Sequence, residues 1–472
     1  MESNLISRLK SALGEDRVLT EQEQRTKRAT DLLAIRLLQR HMGWKPTLPL
    51  CVVEPENTEE LARAVAICRE NKVPIIPYGG GSGVLGGAEC RDTNAVVIDV
   101  KRLNKIGELS DEDLCITAEA GVMIKDLEAY VNEKGYILGH YPQSMDLAQM
   151  GGLVATRSIG QFSTQYGGIE DLLLGMEGVL PNGEVVEIKA NPRKSAGPDL
   201  RHIFLGGEGF VGIVARVTVK VFPKPEATWK QAYRVEGTRE GLEVIRKVMR
   251  EGIKPAVVRL HDWLECEKPY GAFMEEDESL ILFLCEGAKE KVRAEQEIIE
   301  RVVGTDAISA GEKPVDIWLA HRNDAADEYE EYGKQGLLVD TIEISGNWSD
   351  IGNIYENTID RVYDEVHEVL FLSGHSSHSY LNGTNIYFQI GAMPSPDMSS
   401  DDVEKLHRRI WDIIEEETVK NGGAIAHHHG IGKHRAKYME SELGSGLKML
   451  KTIKKAFDPD FLMNPGTLIN CD

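Results

Sequence analysis

The chain has no Cys-x-x-Cys pair, and its seven cysteines stand no closer than seventeen residues apart. That excludes the zinc ribbons and iron–sulfur clusters that need neighbouring thiolates. If the protein passes electrons on, the acceptor is O₂ or another protein. A Gly-x-x-x-x-Gly-Lys-Ser/Thr loop is missing, and so is the strand–Gly-x-Gly-x-x-Gly–helix unit of a Rossmann site. No apolar run approaches the length of a membrane span; residues 280–285 are among the longest. From the sequence at its two ends, neither a secretory leader nor a peroxisomal or retention tag is expected. Positive charge is short: 54 Lys and Arg against 76 Asp and Glu give a net charge of −22. A surface this acidic repels phosphate backbones, which excludes nucleic acid as a main partner. A small anion in a local positive pocket is not excluded. Scattered cysteines without a leader read as reduced core residues, and the expected location is the cytoplasm.

What is present is an ordinary balance of 42% hydrophobic and 28% charged residues over 472 positions. That length suits roughly two to three domains. An apolar strand over 73–77 runs into the glycine-rich stretch 78–87. Without Cβ atoms, several backbone N–H groups can converge on an anion, and a diphosphate is the natural occupant. The plain alternative is a flexible turn. Around the loop, strands at 95–100 and 115–122 alternate with a helix capped by Asn57 and Thr58 and another over 123–133. Strands at 176–180 and 184–188 pair about Pro181-Asn182-Gly183, and a further strand covers 213–221. From 226 to 425, strands (229–235, 256–260, 280–285, 337–344) alternate with amphipathic helices (239–250, 289–303, 351–369, 400–420). That pattern predicts an antiparallel sheet covered by helices on one face. Residues 1–44 read as helical. The stretch 27–44 sets Arg28, Arg36 and Arg40 beside Leu33, Ile35 and Leu38, which suits packing on its own domain or lying on an anionic membrane.

Two clusters carry chemistry. His427, His428 and His429 run into Gly-Ile-Gly-Lys433, and three readings compete: a metal site, acid–base and anion binding, or a solvated basic loop. The second cluster holds His375, His378 and Tyr380, followed by a strand whose polar face is Asn385, Tyr387 and Gln389. A tyrosine so placed can move a proton or hold a substrate oxygen. It can also be a half-buried structural residue.

Five pieces in order, Pro77-Tyr-Gly-Gly-Gly-Ser-Gly, Val97-Ile-Asp-Val, Glu119-Ala-Gly-Val, Gly151-Gly152 and Gly207-Glu-Gly-Phe-Val-Gly-Ile, resemble the FAD-binding domain of the vanillyl-alcohol-oxidase/PCMH flavoproteins. The resemblance covers nearly all of the chain from about residue 45. It implies a two-domain α+β fold: an N-terminal helical segment (1–44), a PCMH-type FAD-binding domain (45–225), an antiparallel-sheet cap domain (226–425), and a C-terminal segment (426–472) that returns to the FAD domain. It also implies that FAD is held by Pro77, Tyr78, Gly79, Gly80, Gly81, Ser82 and Gly83. Ser144, Gln149, Gly152, Thr156 and Ser158 approach the flavin, and Glu208, Gly209, Gly212 and Ile213 lie toward the adenine. Some members attach FAD through a His or Cys near the glycine loop. Tyr78 and Val84 offer neither, and Cys90 reads as structural, so non-covalent FAD is expected.

Within that superfamily, residues 427–433, Ile386-Tyr387-Phe388 and the stretch 193–199 resemble alkylglycerone-phosphate synthases. The resemblance implies that Tyr387 is the acid/base and that His427, His428 and His429 hold and protonate substrate. Arg259 and Arg322 would pair with a phosphate or carboxylate, although either could make a structural ion pair instead. In that family a substrate carbon adds to flavin N5, and an acyl group is exchanged for an alkoxide with no net redox change. The D-lactate dehydrogenase and glycolate oxidase branch supplies the alternative, oxidation of a 2-hydroxy acid with electrons passed to a partner. Of its three metal ligands the chain keeps His375, while Asn382 and His428 replace the others, so no metal is expected. The expected partners are a small anionic or phosphorylated substrate, an electron acceptor under the alternative, and a second copy in a homodimer. A non-enzymatic flavin-binding subunit is a third reading, and it leaves Tyr387 and the histidines without a role.

Overall fold

The structure is a computed structural model that describes residues 2–324 and 331–469, so Cys471 and the C-terminal tag position lie outside it. The strand leading into the glycine loop is Ile75–Tyr78, and it runs parallel to Val96–Asp99, which in turn runs parallel to Cys51–Val53. Parallel strands are covered on both faces, which is why these read as unbroken apolar runs. Their residues from Cys51 to Val53 and from Val96 to Ile98 are all fully buried. Helix Thr58–Glu70 packs beside them, capped by Asn57 Oδ1 accepting from Glu60 N at 2.9 Å. A second, antiparallel sheet orders Ile106–Ser110, Cys115–Glu119, Ile213–Lys220, Leu173–Val179 and Val185–Ile188. The turn at 181–183 closes the last pair with Val179 opposite Val185, and Gly183 takes a positive φ there.

The helical reading of 1–44 needs one correction. Helices Glu2–Leu13, Gln22–Lys27 and Ala34–His41 form, but Val18–Leu19 is a strand paired antiparallel with Cys51–Val53. The membrane reading of 27–44 is also corrected at two of its arginines. Arg28 is buried against Glu54 and Asp99, and Arg36 against Glu89 and Glu404. Guanidiniums that neutralise buried carboxylates are not presented to a lipid surface, and deleting one would leave a carboxylate stranded at a cost of about 3–5 kcal/mol. Among the described residues no helix is long and apolar enough to cross a membrane.

A seven-stranded antiparallel sheet follows, ordered Ile308–Gly311, Ala227–Val235, Ser279–Gly287, Val257–His261, Val369–Ser376, Gly383–Ala392 and Leu338–Asn347. Alternation along its strands sorts two faces. Ile281, Phe283 and Cys285 pack with helices Thr238–Arg250, Lys289–Val303, Ile351–Glu365 and Ser400–Lys420, the four expected from sequence, although the third ends at Glu365 and residue 369, its expected end, opens the strand Val369–Ser376. Leu280, Leu282 and Leu284 pack the other way, with Trp263–Tyr270, Lys313–His321 and two residues from the N-terminal half, Phe162 and Tyr166. After the long helix the chain crosses back. Ile75 N donates to Leu462 O at 2.8 Å and Asn464 N to Ile75 O at 2.8 Å, so the C-terminal segment lies beside the strand that feeds the glycine loop.

Candidate active site

The glycine loop is shaped by what a side chain would strike. A Cβ on Gly80 would lie 1.8 Å from the Leu147 carbonyl oxygen, and Gly81 has a φ of +68°. Leu147 belongs to a turn closed by Ser144, whose carbonyl accepts from Leu147 N at 2.9 Å and Ala148 N at 2.8 Å. Gln149 follows; its Oε1 is buried with no partner among the described residues, 3.4 Å from where a Gly79 Cβ would stand. On the third side Gly209, at a φ of +80°, presses on the ring of Pro77. Gly212 and Ile213 open the strand Ile213–Lys220. Thr156 Oγ1 donates to Gly152 O at 3.0 Å, and Ser158 is buried just beyond. Tyr78 donates to Lys27 O at 3.3 Å, and burial pushes its phenol up to about 12. Ser82 and Gly83 complete the loop, with Asp31 Oδ2 3.2 Å from a Gly83 Cβ. Three chain segments therefore meet at the loop, at Gly79–Gly81, at Leu147–Gly152 and at Gly209. Asp31 was not anticipated; burial pushes its carboxyl up to about 6.

Glu208 does something the sequence did not disclose. It takes a φ of +44° and accepts from Ile431 N at 2.7 Å and Gly432 N at 3.0 Å, so it ties the histidine loop to the half that carries the glycine loop. Burial pushes its carboxyl up to about 7. Lys433 Nζ, pushed down to about 8 by burial, donates to Gly87 O at 2.9 Å and Asn464 Oδ1 at 2.8 Å.

The other end of the histidine loop hangs on Glu343. This fully buried carboxylate accepts from the backbone N–H of His427, from His428 N at 3.3 Å, from His429 N at 2.8 Å and from Arg435 Nη1 at 2.9 Å. With the backbone so held, the rings turn toward the cap sheet. Tyr380 OH lies 2.7 Å from His427 Nε2, His427 Nδ1 lies 2.8 Å from His428 Nδ1, and Tyr387 OH lies 2.9 Å from His429 Nε2. His378 stacks on His427 at 5.0 Å and meets Ser163 Oγ at 2.7 Å. Burial holds these imidazoles neutral: His427 is pushed down to about 4, and His378 and His428 well below the usual range.

Strand register assembles the rest. His261 pairs with His375, His375 with Tyr387, and Tyr387 with Glu343, one row across four strands. Paired residues share a face, and Arg259, two positions from His261, shares it too. The Tyr387 ring lies flat on His375, 4.8 Å away at 11°, and burial pushes its phenol up. The Arg259 guanidinium sits 5.1 Å over Trp318; that of Arg322 sits 6.0 Å from Trp318, 5.3 Å from Phe162 and 5.5 Å from Tyr141. Arg259 Nε donates to His261 Nε2 and Arg322 Nη1 to Gln161 Oε1, and neither guanidinium has a carboxylate partner among the described residues. Sequence reasoning named Arg259, Arg322, Tyr387 and the three histidines, and missed His261, Glu265 and Glu343. The signal for Glu343 was present: one acid inside the apolar strand run Ile342-Glu343-Ile344. Two groups of side chains could gather a cation, His378–His427–His428 and His261–Glu265–His375, each with its ligand atoms within 4.8 Å. His375 and His428, the positions relevant to the hydroxy-acid metal pattern, fall in different groups.

Two family models cover the chain in order: an FAD binding domain over residues 49–189 and the C-terminal domain of FAD linked oxidases over 231–468. The chain belongs to the FAD-linked oxidases. It binds FAD. The orphaned Gln149 Oε1 and the side-chain-free Gly79–Gly81 floor fit that cofactor. This oxidase is 38% identical over 476 residues to the uncharacterized FAD-linked oxidoreductase YgcU of Escherichia coli (strain K12), covering 98% of each chain. It is 27% identical to alkyldihydroxyacetonephosphate synthase of Caenorhabditis elegans, covering 91% of this chain and 77% of that one. It is 28% identical to glycolate oxidase subunit GlcD of Bacillus subtilis (strain 168), covering 90% of both. A solved alkyldihydroxyacetonephosphate synthase superposes with a TM-score of 0.83 at 22% identity, over 98% of this chain and 85% of that one, a likeness of fold.

Proposed function

We propose that this FAD-linked oxidase acts on a small anion of the glycerone-phosphate type, in a reaction like that of the alkyldihydroxyacetonephosphate synthases. One observation carries the reading: two guanidiniums with no carboxylate hydrogen-bonded or ion-paired to them among the described residues converge on Trp318, on the face of the cap sheet that also bears Tyr387. A phosphate dianion takes two forks, and a buried guanidinium such as that of Arg259 with no carboxylate bonded to it among the described residues is otherwise costly. Arg259 and Arg322 bind and orient the anion. Tyr387, kept protonated by burial, is the acid, and neutral His429 accepts from its hydroxyl at 2.9 Å. His427 and His428 hold the substrate's reacting end and pass a proton along their shared 2.8 Å contact. FAD, held without a covalent bond by residues 77–83, Ser144, Gln149, Gly152, Thr156, Ser158, Glu208, Gly209, Gly212 and Ile213, supplies the electrophilic ring system. No metal takes part.

The test is an anaerobic titration of the flavin band near about 450 nm. Bleaching by an acyl-dihydroxyacetone phosphate, with colour restored by a fatty alcohol, supports the reading. Bleaching by D-lactate or glycolate instead transfers the protein to 2-hydroxy-acid oxidation, the reading that the likeness to a glycolate oxidase subunit favours.

A further inference from the structure

Glu265 is the third residue of helix Trp263–Tyr270, and its N–H is bonded to the cap residue Asp262 at 3.1 Å. The other Asp262 oxygen accepts from Gly374 N at 2.5 Å and from Tyr355 OH at 2.9 Å, which pins this helix start against strand Val369–Ser376. The result is a carboxylate set between two histidines. Glu265 Oε2 lies 3.1 Å from His261 Nδ1 and 3.0 Å from His375 Nδ1, while Oε1 accepts from Gln389 Nε2 at 3.1 Å. Burial pushes this carboxyl up, but His375 and His261 outweigh burial and hold it well below the usual range.

Three such ligand atoms could share a cation or hold protons, and Arg259 decides between them. Its Nε–H points at His261 Nε2 from 3.1 Å. A neutral imidazole has one lone pair, so once Nε2 accepts, Nδ1 carries the hydrogen and cannot ligate a metal. That Nδ1 lies 3.1 Å from the Glu265 carboxylate, an ion-pair contact not aligned as a hydrogen bond. The same carboxylate fixes the hydrogen of His375 on Nδ1, with the ring flat against Tyr387.

We propose that Glu265 is the positioning residue of the substrate site: through His261 it aims the Arg259 fork at the anion, and through His375 it fixes the ring on which Tyr387 rests. This rests on the anion-site reading above. The test is calorimetric titration of the flavin-loaded protein with inorganic phosphate, in the parent, Glu265→Gln, Arg259→Lys and the double variant. Glu265→Gln raises the phosphate Kd about tenfold at unchanged flavin content, because an amide cannot accept from two histidines and Gln389 together. In the Arg259→Lys background the same change has less than about a twofold effect, since no Nε–H remains to be aimed. Additive losses overturn the proposal and leave Glu265 a structural residue. Phosphate binding that Glu265→Gln leaves unaltered also overturns it, while the anion site stands. A parent protein that binds no phosphate removes the anion site and this proposal with it. A stoichiometric divalent metal in protein prepared without chelator, lost in Glu265→Gln, overturns it as well. Glu265→Asp keeps the charge one methylene back and gives an intermediate Kd; it carries the same test if the glutamine variant does not fold.

Discussion

The two halves of the candidate site are built by different means. The FAD side is made of backbone: glycines that let chain segments touch, and carbonyls and amides brought to one place by turns. The proposed substrate side is made of side chains: Arg259, His261, His375, Tyr387 and Glu343, aligned by the register of four strands and separated by up to 128 positions in sequence. A backbone site is broken by adding an atom. A side-chain site is broken by removing one.

The largest effect is expected where an added atom has no room. Gly80→Ala sets a methyl 1.8 Å from the Leu147 carbonyl, main chain that cannot rotate away. The clash exceeds the ~1–3 kcal/mol of ordinary overpacking, and purified variant protein should carry almost no flavin by its absorbance ratio. Tyr387→Phe tests the other half by subtraction. It removes one oxygen held by His429 and leaves the cradle alone. Flavin content stays at the parent level while kcat falls about 10²–10⁴-fold, the usual worth of a positioned acid. Parent-like kcat in that variant removes Tyr387 from the reaction.

The same division explains what was legible in the chain. The glycine loop, its feeding strand and the capped helix after Asn57 are local patterns, and they appear where the sequence puts them. The four long helices of the cap and the strands expected there also follow their periods, while Val369–Ser376, Ile308–Gly311 and the short helices Trp263–Tyr270 and Lys313–His321 were not read; the polar face of 385–389 was readable because Ile386 and Phe388 alternate with it. What could not be read was partnership across strands. Nothing near Glu265 in sequence announces His375, 110 residues on. Nothing near Arg28 announces Asp99, so its charge looked like surface. Val18–Leu19 is too short to carry a period and becomes a strand only because Cys51–Val53 offers an edge. The glutamates that hold the histidine loop were hidden for the same reason: Glu208 reaches it over 223 residues.

A smaller effect follows from replacing a charge without changing its shape. Glu343→Gln leaves Arg435 with its remaining carboxylate, Glu415, and weakens the acceptor shared by three backbone amides. Breaking a buried pair costs about 3–5 kcal/mol. The pH dependence has a definite sign. Burial alone would raise the Glu343 carboxyl, but the Arg435 guanidinium, first among the opposing causes, outweighs it, and the carboxyl is held below its ordinary 4.5. Its contribution is therefore complete above pH 4.5 and declines as pH falls toward the folded value. Thermal melts of the parent should lose stability below that pH more steeply than those of Glu343→Gln, and parallel melting curves would take this carboxylate out of the acid response.

The smallest effect sharpens the comparison most. Arg259→Lys keeps the positive charge and most of the stem over Trp318, so the cap should fold and the flavin should stay bound. What goes is geometry: a lysine ammonium has no second prong for the anion and no Nε–H for His261. One charge-assisted hydrogen bond is worth about 1.5–3 kcal/mol, so KM should rise about 10–100-fold with kcat within severalfold of the parent. A rise in KM alone identifies Arg259 as a binder whose aim matters, because the flavin and Tyr387 are untouched. A fall in kcat at constant KM would instead assign the guanidinium to the reacting atoms, and would move the boundary between the two halves of the site from the sheet row to the fork itself.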